Sequence, residues 1–115
     1  MLSRNVFLQG VFDFEGRGLT TPTLIDASLT HRVPDGLVNQ ALYFRGGNSS
    51  DELIVVSLMR DGVTMRLFPI GGLSDTHVPL RVVEDLIGGT ELELHVAAPA
   101  GVKGQVVVDL GMVEH

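Results

Sequence analysis

The chain of 115 residues contains no cysteine and no tryptophan, and it has only one tyrosine. The absence of cysteine excludes disulfides, iron–sulfur ligation, thiolate metal ligands and cysteine nucleophiles. Lysine and arginine together number 8 against 14 acidic residues, which gives a formal net charge of −6. Because the chain is acidic and has no local cluster of basic residues, we do not expect it to bind nucleic acid.

Long hydrophobic runs are also absent: no stretch is long and apolar enough to span a membrane, and the first residues lack the pattern of a signal peptide. We therefore predict a cytoplasmic protein without a membrane partner. Apolar residues make up 44% of the chain and charged residues 19%, so enough apolar side chains are present to form a core. The length predicts a single domain over residues 1–115.

Apolar and polar residues alternate over most of the chain, which is the pattern of half-buried β-strands. In the first segment Val6, Leu8 and Phe14 fall on one face. Glycines and prolines separate the segments, and Asp61-Gly62 is the strongest hairpin signal because a type I′ turn needs positive φ at both residues. The sequence predicts about eight strands, near residues 5–14, 23–33, 37–46, 52–60, 63–70, 77–83, 90–98 and 104–113.

Evenly spaced strands joined by turns predict an all-β fold, an antiparallel β-sandwich of jelly-roll type. Residues 52–60 are apolar on both faces, so their strand should be central in a sheet or covered by a second subunit. Residues 77–89 fit either a strand followed by a turn, which we favour, or a short helix that ends at glycine.

Motifs for catalysis and metal binding are missing. The histidines lack zinc-ligand spacing, and the chain has neither a G-x-S-x-G elbow nor a phosphate-binding loop. Asp75 and His77 place a carboxylate near an imidazole, so a small hydrolase or isomerase that uses them stays an alternative. We expect no enzymatic activity, no cofactor and no metal.

Residues 43–56, YFRGGNSSDELIVV, hold the most conspicuous polar cluster. Asn48, Asp51 and Glu52 carry the hard oxygen atoms that calcium prefers, but the two carboxylates lack the spacing of a calcium loop. We therefore interpret the stretch as a corner whose polar side chains bond to the turn itself. Arg45 is predicted to end one strand, residues 46–50 to turn, and Glu52 to begin the next strand.

Three arginines on predicted neighbouring strands lie close in sequence to these acids. We predict an ion-pair lattice with Asp51, Glu52 and Asp61 across a sheet face or at a subunit contact. The predicted partner- or ligand-binding residues are Arg45, Asn48, Asp51, Glu52, Arg60 and Arg66.

Most of the chain after residue 23 resembles a known group of proteins. The strings YFRGGNSSDELIVVSLMRDGVTMRLFPIGG and HVPLRVVEDLIGGTELELHVAAPAGVKGQVVVDLGMVE are similar to short bacterial proteins labelled assimilatory nitrate reductase or molybdopterin oxidoreductase. A pterin-bound molybdenum centre needs a very large pocket and usually iron–sulfur relays held by cysteine. The resemblance therefore implies an accessory of molybdenum or nitrate assimilation, and it assigns no catalytic residue.

Our favoured functional hypothesis is a non-enzymatic binding or assembly module that self-associates or binds a protein partner. The small size, the strand that is apolar on both faces and the lack of catalytic motifs support it, and they predict a homo-oligomer. A carbohydrate-binding, lectin-like module is the alternative, by analogy with other β-sandwiches. It ranks lower because aromatic residues that could stack on sugars are few.

Overall fold

The computed structural model describes residues 3–115. Within them the chain forms strands and no helix, and thus no helix long and apolar enough to cross a membrane. The strands are β1 (Arg4–Glu15), β2 (Thr23–Leu24), β3 (Thr30–Arg32), β4 (Val38–Asn48), β5 (Ile54–Arg60), β6 (Val63–Ile70), β7 (Ser74–Pro79), β8 (Leu86–Ile87), β9 (Glu91–Ala97) and β10 (Lys103–Glu114).

These strands build two antiparallel five-stranded sheets, so the predicted all-β sandwich with a jelly-roll-like arrangement is confirmed. Sheet A has the order β1-β10-β4-β7, and β8 pairs with the other end of β4. Sheet B has the order β2-β9-β5-β6, and β3 also pairs with β9. Both sheets therefore combine strands from distant parts of the chain.

The core lies between the inner faces of the two sheets. On β1, Leu8 and Phe14 are buried while Gln9 and Asp13 are exposed, as the alternating pattern predicts. In the middle, the ring of Phe44 on sheet A stacks on the ring of Phe68 on sheet B, with 4.3 Å between centroids. Stacked aromatic rings of this kind pack the two layers together.

The β5 strand is central in sheet B, between β9 and β6, as predicted from its apolar character. Ile54, Val56 and Leu58 are fully buried in the core. The predicted hairpin between β5 and β6 is also confirmed, because Asp61 and Gly62 have φ angles of 51° and 80°. Positive φ at both positions is the geometry of a type I′ turn.

The strand predicted over 23–33 is interrupted in the structure. Both β2 and β3 pair with β9. Between them the backbones of Ile25 and Leu29 still bond to Leu94 of β9, but residues 26–28 leave the ladder. Asp26 accepts hydrogen bonds from the backbone N–H and the hydroxyl of Ser28, which closes a local turn. The excursion places Leu29 in the core, with only 1% of its surface exposed. Burial of this side chain favours the interruption over a continuous strand.

The strand predicted over 77–83 is wrong beyond Pro79, and the alternative of a helix is wrong as well. The β7 strand begins earlier, at Ser74, and ends at Pro79. The N–H of Leu80 still donates to the carbonyl of Leu42 on β4. Residues 81–85 then leave sheet A, and the chain returns to it at β8. Glu84 in this segment binds Arg60 and Arg66 on sheet B, and these contacts hold the segment away from the ladder.

Candidate functional site

The polar side chains in residues 43–56 stabilise a corner of the chain, and Asn48 makes the central hydrogen bonds of this corner. Its Nδ2 donates to the carbonyl oxygens of Glu52, Ile70 and Gly71 at 2.8, 3.3 and 3.1 Å. Its Oδ1 accepts from the backbone N–H and the hydroxyl of Ser50 at 2.9 and 2.8 Å. Because these bonds occupy the buried amide, Asn48 has no group free for a ligand.

This corner lies slightly later than predicted. Strand β4 continues past Arg45 to Asn48, and residues 49–53 cross from sheet A to sheet B. The side chains of Asp51 and Glu52 are exposed there. Within residues 3–115, no group of three or more histidine, aspartate or glutamate side chains is placed to hold a metal ion.

The predicted lattice of three arginines does not form. Arg45 lies on sheet A, whereas Arg60 and Arg66 lie on sheet B. Arg60 and Arg66 share the carboxylate of Glu84 at 3.1 and 2.6 Å. The prediction failed because β4 and β5 are consecutive in the chain but belong to different sheets, so neighbouring positions in sequence are not neighbours across a ladder.

Arg45 instead belongs to a row of polar residues that crosses the outer face of sheet A. The register places Gln9 beside Asp109, Asp109 beside Arg45, and Arg45 beside His77. The Arg45 guanidinium donates to Asp109 Oδ2 at 3.0 Å. Four strands thus contribute one residue each, and the central charges on Arg45 and Asp109 compensate each other.

Tyr43 lies next to this row and is held in one position. Its ring covers Gly111 on β10, and a Cβ atom at Gly111 would overlap the ring. Its hydroxyl donates to Asp109 Oδ1 at 3.1 Å, and the Arg45 guanidinium lies 5.6 Å from the ring centroid. The His77 ring packs edge-on at 6.2 Å. These contacts fix an aromatic ring among hydrogen-bonding groups on an outer face.

Burial raises the pKa of Tyr43, and the hydrogen bond to the Asp109 carboxylate raises it further. Ionisation would place a phenolate next to a carboxylate, which is unfavourable in a partly desolvated site. The hydroxyl of Tyr43 is therefore a neutral donor at physiological pH, and Asp109 is its acceptor.

A shallow groove runs along the strands beside Tyr43. One part has a volume of about 630 Å³ and is lined by Arg45, Asp75, His77 and Asp109. A second part of about 630 Å³ continues past Val107 toward Gln105. Gly47 contributes to both parts, and its lack of a side chain leaves the floor of the groove open. We call this surface the outer-face groove.

Asp75 and His77 both face this groove from β7, two residues apart on the same side of the strand. No hydrogen bond joins the two side chains in the described part of the chain. Their arrangement therefore lacks the base–orienter contact that a catalytic pair requires.

Of the six residues predicted to bind a ligand or partner, Arg45 and Asn48 line the outer-face groove, and the amide of Asn48 is occupied by the bonds of the corner. Sequence reasoning missed Tyr43 and Asp109 as site residues. Their signal was weak, because both occupy polar-face positions of alternating strands. Only the register between β4 and β10 brings them together.

Comparison with solved structures places the sandwich among known folds. The CBM36-1 domain of a multidomain xylanase, from the hindgut metagenome of Trinervitermes trinervoides, superposes with a TM-score of 0.54 and 19% identity over 96% of each chain. A carbohydrate-binding module CBM36 in complex with calcium and xylotriose has a TM-score of 0.52 and 19% identity, over 96% of this chain and 97% of the other. The fold is shared.

A viral protein has the same arrangement of strands. A chain of infectious bursal disease virus, Gx strain, matches with a TM-score of 0.54 and 11% identity over 98% of this chain, but over only 32% of its own length. Identities this low establish the fold alone. No protein-family model and no curated protein matches the chain, so the similarity to proteins labelled nitrate reductase stays a prediction.

Proposed function

We propose that this protein is a non-enzymatic carbohydrate-binding module that binds an uncharged polysaccharide along the outer-face groove. The observation that carries the proposal is the fixed position of Tyr43, whose ring lies across Gly111 beside a row of hydrogen-bonding groups. A sugar ring offers apolar C–H groups on its faces and hydroxyls around its edge. An immobilised aromatic ring with polar neighbours complements both kinds of group.

The charge balance of the groove favours a neutral ligand. Arg45 and Asp109 form an ion pair, so neither charge is free to bind a charged group of opposite sign. Their remaining donor and acceptor positions can bond to hydroxyls, and charged partners make such bonds stronger than neutral ones do. The carboxylate of Asp75 at the groove wall further disfavours an anionic sugar.

The groove is open along the strands, which fits a chain of sugars better than a single small molecule. Its two parts share Gly47, Asp75 and Val107, so a ligand could extend from His77 toward Gln105 without crossing a wall. The occurrence of carbohydrate-binding modules with the same fold supports this function by analogy only.

Two measurements test the proposal. The first is isothermal titration with short oligosaccharides. The second is affinity electrophoresis in gels that contain neutral polysaccharides such as xylan, mannan and soluble cellulose derivatives. We expect Tyr43→Ala to weaken binding about tenfold, since losing an aromatic contact and its buried area costs about 1.5 kcal/mol. Tyr43→Phe keeps the ring and should bind within about threefold of the wild type, because one neutral hydrogen bond contributes about 0.5 kcal/mol at an open site.

Arg45→Gln should also weaken binding, and Arg32→Gln is the matched control. The two arginine side chains are 59% and 60% exposed and each pairs with a carboxylate, but Arg32 lies on β3 of the other sheet. Repeating the titration with a chelator determines whether a divalent cation takes part. If no neutral saccharide binds, or if Tyr43→Ala binds like the wild type, the proposal is wrong.

A further inference from the structure

The β1 strand is an edge of sheet A that lacks the usual protection against pairing with another strand. It has twelve residues, no proline, and a register with β10 that is unbroken from Arg4 to Glu15. Sheet edges in monomeric proteins are normally short, bulged, interrupted by proline or covered. Long regular edges present a row of unpaired backbone groups.

The other edges in the described part of the chain carry such protection. The β6 strand contains Pro69, and its pairing with β5 is shifted next to Leu58. The β7 strand is six residues long and ends in Pro79. Beyond β9, the edge of sheet B consists only of β2 and β3, with two and three residues. Compared with these edges, β1 is long, regular and without proline.

The backbone N–H and C=O groups of β1 that do not bond to β10 belong to alternate residues. Just beyond the strand, the N–H of Gly16 donates to the carbonyl of Val102, in continuation of the β1–β10 register. Backbone groups alternate in direction along an antiparallel strand. Even-numbered residues therefore bond to β10, and the odd-numbered residues from Asn5 to Asp13 direct their N–H and C=O groups to the open side.

The same odd-numbered residues place their side chains on the outer face, where two apolar ones are exposed. Phe7 is 48% exposed and Val11 is 60% exposed, with Gln9 between them. In an antiparallel pair of β1 strands with its two-fold axis at Gln9, Phe7 of each copy would lie opposite Val11 of the other copy. The symmetry would therefore produce this contact two times. Asn5 would then face Asp13, and the two Gln9 side chains would face each other.

This register also uses nearly the whole strand, from Arg4 to Phe14. It forms about ten backbone hydrogen bonds through the odd-numbered residues. A two-fold axis at Gly10 would instead place Phe7 opposite Asp13, and an axis at Val11 would place Phe7 opposite Glu15. Aromatic and β-branched residues are favourable cross-strand pairs, whereas an aromatic residue opposite an exposed carboxylate is not.

We propose that two copies of this chain associate through their β1 strands, with the two-fold axis at Gln9, and form one continuous sheet that is eight strands wide, in which β8 of each copy stays paired with the other end of its own β4. Its order would be β7-β4-β10-β1 followed by β1-β10-β4-β7 of the second copy. A two-fold axis perpendicular to the sheet leaves both outer faces on the same side. The self-complementary pattern of Phe7, Gln9 and Val11 favours a second copy over an unrelated partner.

The pairing would have a consequence for ligand binding, which rests on the function proposed above. Five strand spacings separate the two β4 strands, so the two outer-face grooves would lie roughly 24 Å apart on one surface. Two linked sites on a single polymer bind it more tightly than either site alone. The dimer would therefore strengthen binding to a polysaccharide but not to a short oligosaccharide.

Sedimentation equilibrium over micromolar to millimolar concentrations, together with light scattering, tests the pairing. The wild type should show the mass of two chains. Gln9→Lys and Gln9→Glu should each lower the association constant at least tenfold, because each places like charges opposite each other across the two-fold axis. An equimolar mixture of the two variants should restore a dimer, since the charges are then opposite.

Gln105→Lys is the matched control, because Gln105 lies on the same outer face but one strand away from the edge. It should associate like the wild type. Hydrogen exchange provides a second measurement: the amides of Phe7, Gln9 and Val11 should be protected in the wild type and exchange faster in Gln9→Lys. Circular dichroism verifies that each variant is folded.

A wild type with the mass of one chain at every concentration would overturn the proposal, as would a dimer that Gln9→Lys leaves intact. A mixture of the two charged variants that stays monomeric would overturn the two-fold axis at Gln9. Titration of the wild type with a short oligosaccharide separates the two proposals. A dimer that binds no saccharide supports the pairing alone, whereas a chain that binds saccharide but stays monomeric supports the proposed function alone.

Discussion

Tyr43 has a role in the packing of sheet A and is also the central residue of the proposed binding site. Its ring occupies the space that the missing side chain of Gly111 leaves open, and its hydroxyl bonds to Asp109. As the only tyrosine in a chain without tryptophan, it dominates the near-ultraviolet absorption and intrinsic fluorescence. The protein therefore carries one optical reporter, which lies beside the outer-face groove.

That reporter tests the contact with Asp109. In the wild type, spectrophotometric titration should give a pKa for Tyr43 above the ordinary tyrosine value, because burial and the Asp109 carboxylate both disfavour the phenolate. Asp109→Asn should lower this pKa toward the ordinary value while leaving the contribution of burial. Asp75→Asn, a change in the same groove at a residue that does not bond to Tyr43, should leave the pKa unchanged. An equal pKa in the wild type and Asp109→Asn would contradict the geometry.

Among the elements, the corner between β4 and β5 depends on Asn48 more than on its acidic residues. The amide joins the end of β4 to the carbonyls of Glu52, Ile70 and Gly71, so it links the corner to the end of β6. Asp51 and Glu52 point to solvent. The corner thus connects sheet A to sheet B through one buried side chain.

We expect Asn48→Ala to lower the free energy of unfolding by about 2–3 kcal/mol, because it leaves buried carbonyl groups and the Ser50 amide without partners. Asn48→Asp should be at least as destabilising, since a carboxylate would face three carbonyl oxygens. Glu52→Ala, in the same corner, should change the stability by less than about 0.5 kcal/mol. Urea denaturation followed by circular dichroism gives these differences. Equal effects of Asn48→Ala and Glu52→Ala would disprove the role of the amide.

Sequence periodicity predicted the uninterrupted strands well and the interrupted ones badly. The β1, β6, β9 and β10 strands lie within one or two residues of their predicted limits because a single alternating pattern determines which side chains are buried. The segments 23–33 and 77–83 contain breaks that tertiary contacts create. Leu29 enters the core, and Glu84 binds arginines of the opposite sheet. The sequence around Leu29 and around Glu84 does not predict either contact.

At the scale of the whole molecule, a buried polar network joins the two ends of the chain. Glu114 on β10 has a side chain that is only 2% exposed, and it accepts from Arg4 at 2.6 Å and from Asn39 at 2.9 Å. His31 Nε2 donates to Asn39 Oδ1 at 2.7 Å and lies 3.6 Å from the carboxylate. The network therefore connects β1, β3, β4 and β10.

Hydrogen bonds from Arg4 and then Asn39 hold the pKa of Glu114 below its ordinary value. The ionised form is thus favoured by folding, and its contribution to stability is complete above the pKa of an unfolded glutamate. That contribution is lost as the pH falls through the lowered pKa of the folded protein. The same acidification protonates the exposed carboxylates with little effect on folding.

Glu114→Gln should therefore cost about 1–3 kcal/mol in the free energy of unfolding at neutral pH, and the difference from the wild type should shrink toward pH ~3. Glu91→Gln is the control, because Glu91 pairs with Arg32 on the surface with about half of its side chain exposed; its effect should stay below about 0.5 kcal/mol. Denaturation curves at the two pH values measure both. A cost for Glu114→Gln that does not depend on pH would exclude an ionised Glu114 as the source.

The sequence by itself determined the class of fold, the hairpin at Asp61-Gly62, the central position of β5 and the absence of cysteine chemistry. These features follow from local properties, namely the alternation of side chains, the φ preferences of turn residues and composition. The tertiary structure decided which strands are neighbours. The row of Gln9, Asp109, Arg45 and His77 joins positions up to a hundred residues apart through backbone register alone. Because register depends on non-local pairing, no pattern within one segment contains it.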